Sequence, residues 1–213
     1  MEIQLWRSIL CPYELAVREL EVKFNHIIEE CKENDIYCPI EQVEGRVKSV
    51  SSILEKMQRK GIRDQDLAAI RRELTDIAGV RVICNYLHDI YRIRDLLVAQ
   101  DDMCLQREKD YIKAPKENGY RGLHLILLVP VFLSAEKELV PVEIQIRTIA
   151  MDFWASLEHQ LRYKAWHEVP QELHARLKRC SDASAALDLE MQDIFDQLGG
   201  TDGMPPQDQE QVQ

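Results

Sequence analysis

The 213 residues, 46% hydrophobic and 30% charged, match a folded globular chain with a sizeable core, most simply one domain with added helices. The longest nearly apolar run, residues 123–133, is too short to cross a bilayer, and MEIQLWRSIL lacks a secretory signal's basic start and cleavage site, so a cytoplasmic location with no membrane partner is expected. The net charge of −10 is uneven: eight acids and no Lys or Arg follow residue 181, residues 1–181 carry only −2, and residues 46–63 hold six bases against Glu55, which suits a compact anionic ligand better than a long nucleic acid.

Along the chain, apolar residues near helical spacing (Leu20, Phe24, Ile27, Ile28) predict a helix over 13–33, after Pro12. IEQVEGRVK reads as a short strand. Ser52-x-x-Glu55 has the pattern of a capping box, which opens a helix near 49–52 that ends at Gly61. LAAIRREL is a short helix, IAGVRVICNYL is strand-rich, and IYRIRDLLVAQ is a helix. CLQREKDYI, YRGLHLILLVPVF and LVPVEIQIRT read as strands, the last two joined across SAEKE as a hairpin. Helices over 149–163 and 171–197 follow, and Gly199-Gly200 begins a tail expected to be disordered.

Alternation places side chains on opposite faces of these strands. Val140, Val142, Ile144 and Ile146 share one face, with Glu143, Gln145 and Arg147 on the other. Leu123, Leu125 and Leu127 oppose Tyr120 and His124, so the hairpin predicts one surface bearing Tyr120, His124, Glu143 and Gln145. Asp76 and Arg81 have opposite parity, and face apart unless Gly79 marks a bulge or Asp76 precedes the strand.

Several groups carry possible chemistry. Arg46-x-Lys48 with Ser49, Ser52 and Lys56 resembles a phosphate cradle at a helix start, without a P-loop pattern; a basic surface helix is the plainer alternative. Asp76 and Glu143 are candidates for Mg²⁺ and for proton abstraction, or are ordinary salt-bridge partners. His88-Asp89 lacks a second His pair and reads as a helix start. Trp154, Leu157 and Leu161 form an apolar stripe expected to pack in the core. The six cysteines show no C-x-x-C pair and no regular spacing, which points to reduced thiols.

Taken in order, GRVKSVSSILEKMQRKG, TDIAGVRVIC, REKDYIKAPKENGYRGLHL and VEIQIRTIAMDFWASLEHQLRYK closely resemble the synthetase domain of RelA/SpoT-type GTP pyrophosphokinases, over residues 40–165. The length, with no room for a hydrolase, TGS or ACT domain, resembles that of a stand-alone small alarmone synthetase. The resemblance implies an α+β fold: a nucleotidyltransferase-like mixed β-sheet flanked by helices. An N-terminal helical segment (1–39), the synthetase domain (40–165), a C-terminal helix suited to oligomerisation (166–198) and a tail (199–213) would complete the chain.

The activity it implies is transfer of the β,γ-pyrophosphate of ATP to the 3′-hydroxyl of GDP or GTP, with Mg²⁺ as cofactor. By resemblance, Arg46 and Arg81 would sandwich adenine, and Lys48, Ser52, Lys56 and Arg59 would hold the triphosphate. Asp76 would bind Mg²⁺, and Glu143 would assist it or act as base. Tyr120 would stack on guanine near Asn118, His124 and Gln145; Lys116 would reach the acceptor phosphates, and Arg107 and Lys109 match the family's basic R-x-K-D motif. One departure is Gln42-Val43-Glu44, which lacks the aromatic and hydroxyl residues that some tetrameric members use to bind their product. It also sets a like charge, Glu44, against a phosphate-rich effector, so the resemblance does not carry product activation over to this chain. A homo-oligomer, dimer or tetramer, is implied. Another acceptor (an adenine nucleotide or a tRNA 3′ end) and a non-catalytic RNA- or nucleotide-binding module stay open as alternatives, and no feature specifically supports single-stranded RNA.

Overall fold

The structure is a computed structural model and describes residues 2–62, 67–164 and 170–200. Helix α1 (Glu2–Glu33) starts well before the expected residue 13 and runs through Pro12. Proline removes an internal hydrogen bond and crowds the preceding turn. Here Trp6 and Leu10, upstream of it, pack against the core and keep the helix on course.

Strands β1 (Ile40–Val47), β2 (Ala78–Cys84), β3 (Cys104–Asp110), β4 (Leu123–Phe132) and β5 (Lys137–Thr148) form one mixed sheet in the order β1-β2-β5-β4-β3. β2 and β5 pair in parallel and the other neighbours antiparallel, which gives the expected α+β mixed sheet flanked by helices. The β4–β5 hairpin closes through residues 133–136.

One sheet face is almost wholly apolar. Val80, Val82, Leu123, Leu125, Leu127, Val142, Ile144 and Ile146 are each at most 1% exposed. Tyr13, Leu20 and Phe24 of α1 join the same cluster, as do Ile90, Ile93 and Leu97 of α4 (Leu87–Val98). Each such side chain contributes roughly 1.5–3 kcal/mol on burial. A one-residue slip of any strand would turn its apolar set to the other face, so this core also fixes what the opposite face presents.

Helix α2 (Val50–Lys60) opens on Ser49, whose hydroxyl accepts from the Ser52 amide at 3.3 Å, and closes on Gly61 at φ 68°. The expected Ser52–Glu55 capping box is therefore displaced: Ser49 caps, and Ser52 lies in the first turn. Ile53 and Met57 are buried four residues apart, leaving Ser52, Lys56 and Lys60 at the same spacing on an adjoining face. α3 (Leu67–Glu73) leads into β2. Asp89 does serve a helix start: buried in the first turn of α4, it accepts from the Tyr86 amide and the Tyr37 hydroxyl.

In α5 (Ile149–Lys164) only part of the expected stripe is core: Trp154 is buried, whereas Leu157 and Leu161 are exposed. Helix α6 (Gln171–Gln197) ends in a turn that includes Gly199, whose amide reaches Asp196 O at 3.1 Å; the rest of the expected disordered tail lies outside the described residues. Among the described residues, no helix is long and apolar enough to cross a membrane, and the six cysteines are free.

Candidate active site

The polar face of the sheet carries two adjacent rows that cross all five strands. Pairing aligns Arg46, Gly79, Glu143, Ile126 and Arg107 in one row, and Glu44, Arg81, Gln145, His124 and Lys109 in the next. Residues as far apart in sequence as Arg46 and Glu143 thus come together on one surface because the apolar face sets their register. The conflict between Asp76 and Arg81 resolves in the second expected way. β2 begins at Ala78, so Asp76 precedes the strand, while Arg81 lies on the polar face.

A cavity of about 500 Å³ opens over these rows. Of the expected residues, Arg46, Lys56, Asp76, Arg107, Lys109, Lys116, His124, Glu143 and Gln145 line it. A second, of about 980 Å³, shares Arg46, Lys116 and Gln145 and adds Arg81, Asn118 and Tyr120. Lys48 reaches the site through Asp76. Ser52 is exposed, its hydroxyl 3.0 Å from that of Ser49, and Arg59 is exposed outside the lining of either cavity.

On the α2 side, one oxygen of Asp76 accepts hydrogen bonds from both Lys48, at 2.6 Å, and Lys56. Its other oxygen, Oδ1, is buried and has no hydrogen-bond partner among the described residues. Burial pushes the Asp76 carboxyl up, but the two lysines together outweigh it and hold the group below the ordinary carboxylate value. Arg81 lies between two acids, 3.5 Å from Glu44 and 3.6 Å from Asp152.

On the β4–β5 side the side chains bond to one another. The Tyr120 hydroxyl meets His124 Nε2 at 2.5 Å, and His124 Nδ1 lies 3.3 Å from Glu143 Oε1. Gln145 donates to Glu143 at 2.8 Å. Arg147, 6% exposed, donates to the Tyr120 hydroxyl from both Nε and Nη2, to Gln145 and to Asp152. Burial raises the Glu143 carboxyl, yet the hydrogen bond and charge of His124, helped by Gln145, leave it below its ordinary value. Tyr120 is shifted up by burial, against the opposing charge of Arg147. The Lys116 ammonium sits 4.6 Å from the Tyr120 ring centroid and 4.5 Å from that of Tyr111, so a base stacking on that face must displace it.

The loop bearing Tyr120 is braced by α6. Ser181 donates to Gly119 O, and a Cβ at Gly119 (φ +95°) would come within 2.8 Å of the Ser181 Cβ. At Gly122 (φ +151°) a Cβ would crowd the Tyr120 hydroxyl and Arg147. Both positions need glycine for conformation and for space. Half-buried Arg121 lies 3.5 Å from buried Asp188, so the acidic C-terminal helix is in part an internal brace.

Sequence reasoning missed Lys60, Arg72, Thr75 and Tyr111 in the first cavity and Arg147 and Glu158 in the second. Lys60 was reachable from its i+4 spacing to Lys56, and Arg147 from its parity with Glu143 and Gln145. Glu158 had no such signal.

Cations ringed about two carboxylates on a mixed sheet suit a polyphosphate-handling transferase. The chain matches the model of the region found in RelA / SpoT proteins over residues 45–168, and it belongs to that family. It is 42% identical over 194 residues to the GTP pyrophosphokinase YjbM of Bacillus subtilis, covering 91% of this chain and 90% of that protein. To YwaC, a GTP pyrophosphokinase of the same organism, it is 44% identical over 186 residues, covering 87% of this chain and 88% of that one. Its fold matches the crystal structure of B. subtilis small alarmone synthetase 1 bound to its product pppGpp, with a TM-score of 0.84 at 42% identity over 92% of this chain and 98% of the other. The same synthetase bound to AMPCPP matches at 0.77, with 37% identity and the same two coverages.

Proposed function

We propose that this protein is a GTP pyrophosphokinase that moves the β,γ-pyrophosphate of ATP to the 3′-hydroxyl of GDP or GTP, giving (p)ppGpp and AMP for the stringent response. The observation that carries this reading is the convergence of Asp76, Glu143 and their flanking cations on one cavity. The names and bound nucleotides of similar proteins support it: two GTP pyrophosphokinases, and a synthetase seen with pppGpp and with AMPCPP.

In this reading Arg46 and Arg81 hold the adenine between planar guanidinium groups. Lys48, Ser52 and Lys56 take the triphosphate, and Arg59 would have to swing inward to join them. Lys116, Arg107 and Lys109 take the acceptor's phosphates, leaving the Tyr120 ring to guanine with Asn118, His124 and Gln145 beside it. Glu143, held ionised by His124 and Gln145, takes the proton of the 3′-hydroxyl. The 3′-oxygen bonds to the β-phosphorus, the bond between that phosphorus and the α,β-bridging oxygen breaks, and AMP leaves with that oxygen.

Mg²⁺ fits the residues present. Asp76 Oδ1 is buried without a partner among the described residues, and Glu143 lines the same cavity. Among the described residues no group of three or more His, Cys, Asp or Glu could hold a metal, and Mg²⁺ with substrate phosphates asks for only one or two carboxylates. When bound, it offsets charge on the phosphates. A cytoplasmic location and a homo-oligomer belong to the same proposal. α6 leaves Leu187, Leu189, Met191 and Ile194 exposed, which suits a partner copy, and light scattering would measure the assembly.

The test of the reaction is incubation with γ-labelled ATP, Mg²⁺ and, separately, GDP, GTP, AMP and tRNA. Label on GDP or GTP supports the reading; label on tRNA or AMP alone overturns it.

A further inference from the structure

The face that α6 turns to the rest of the molecule is polar where a docking helix is ordinarily apolar. Ser181, Ser184, Asp188 and Gln192 fall at helical spacing along it; Ser184 is half-buried and the other three are at most 7% exposed. Each has a partner far away in sequence. The Ser184 hydroxyl donates to Ala150 O at 2.9 Å, Gln192 accepts from the His88 amide at 3.0 Å, and Asp188 lies beside Arg121. Such contacts replace contacts with water and add little net stability, but they fix where each partner sits.

Ser181 acts on the loop that bears Tyr120. Its hydroxyl donates to Gly119 O at 2.5 Å, and Gly119 is itself buried. Around that point the loop bonds to itself: the Gly119 amide to Lys116 O, the Lys116 amide to Tyr120 O and the Tyr120 amide to Asn118 Oδ1. These bonds close residues 116–120 into one turn. Ser181 ties the backbone of that turn to α6 on one side of Tyr120, and Asp188 holds Arg121 on the other. Neither Ser181 nor Asp188 lines either cavity. We propose that Ser181 is a positioning residue for the acceptor: through the Gly119 carbonyl it fixes the backbone of Tyr120, and so the direction in which that ring meets a base. This rests on the reading of Tyr120 as the acceptor platform.

Steady-state kinetics with GDP and ATP varied in turn test it. Ser181→Ala leaves the buried Gly119 carbonyl without its donor, so the KM for GDP is expected to rise by on the order of 10-fold while that for ATP stays near wild type. Ser184→Ala removes a bond of the same kind from the same helix, to Ala150 O and not to the loop, and is the control for a loosened α6. It should lower stability in a urea titration about as much as Ser181→Ala does, and keep both constants. A GDP constant unchanged in Ser181→Ala overturns the proposal, as does a rise shared with ATP or matched by Ser184→Ala. Should Ser181→Ala fail to fold, Ser181→Cys carries the same test, because a thiol is only a weak donor. A wild-type enzyme that makes no guanosine product removes the proposed function and this inference together. A guanosine product with an unchanged GDP constant in Ser181→Ala removes the inference alone.

Discussion

At the α2 side of the cavity, two lysines converge on one oxygen of Asp76 and leave the other without a partner among the described residues; at the β4–β5 side, Tyr120, His124, Glu143, Gln145 and Arg147 satisfy one another. The first arrangement has cationic charge to spare, and in the proposed reaction phosphates and Mg²⁺ would complete it. The second is organised beforehand, and in the proposed reaction it would hold the base platform and the proton acceptor at a set separation. A transfer between two substrates profits from this division, because orientation of the attacking hydroxyl supplies much of the rate while charge on the donor is neutralised on arrival. Lys116 qualifies the contrast: its ammonium covers the Tyr120 ring, so even the organised half must release one side chain as the base enters.

The sharpest way to separate the halves is Glu143→Gln. It keeps the shape of the network and removes the base, so transfer should fall by on the order of 10³-fold. Binding of a non-hydrolysable ATP analogue, followed by calorimetry, should persist; wild-type turnover in this variant would take Glu143 out of the chemistry. Arg147→Met breaks the network at its most connected member. Loss of its hydrogen bonds to Tyr120, Gln145 and Asp152 should lower unfolding stability by roughly 2–3 kcal/mol in a urea titration and raise the acceptor KM more than that for ATP. An equal rise in both constants would mean that the halves are not separately built.

Next in size is Tyr120→Ala. Stacking is worth about 1–3 kcal/mol per base, so the acceptor KM should rise by about 5- to 150-fold with the ATP constant near wild type. An unchanged acceptor constant would count against stacking. The smallest effect lies on the α2 side and in acid. The folded carboxyl of Asp76 is depressed, so its contribution to stability is present above the ordinary value of 3.8 and is lost as pH falls below it through the depressed one. Asp76→Asn should therefore flatten part of the stability loss in that acid range, read by thermal unfolding from neutral pH downward. An acid limb identical to wild type would mean that the two lysines do not hold Asp76 as described.

Much of this site was legible in the sequence because strands alternate. The parity of VEIQIR and of GLHLIL put Glu143, Gln145 and His124 on one face, and pairing in the sheet confirmed it. The apolar positions between them identified the core for the same reason. What alternation cannot give is how far a side chain reaches or what a distant helix delivers. Arg147 shares the parity of Glu143, but only the tertiary fold shows its guanidinium turned inward to the Tyr120 hydroxyl. Glu158 arrives on α5, 40 positions from Asn118, with no local pattern to mark it. The helix through Pro12 and the cap at Ser49 were misread because local propensity was taken as decisive where packing against the core, or a hydroxyl three residues earlier, decided the outcome.

Phosphorus NMR of the products formed from ATP and GDP tests the central claim most directly. The account predicts equimolar AMP and a guanosine nucleotide carrying two phosphoryl groups on its 3′-oxygen. ADP together with a singly phosphorylated acceptor would contradict it, since the donor bond broken would then lie between the β- and γ-phosphates.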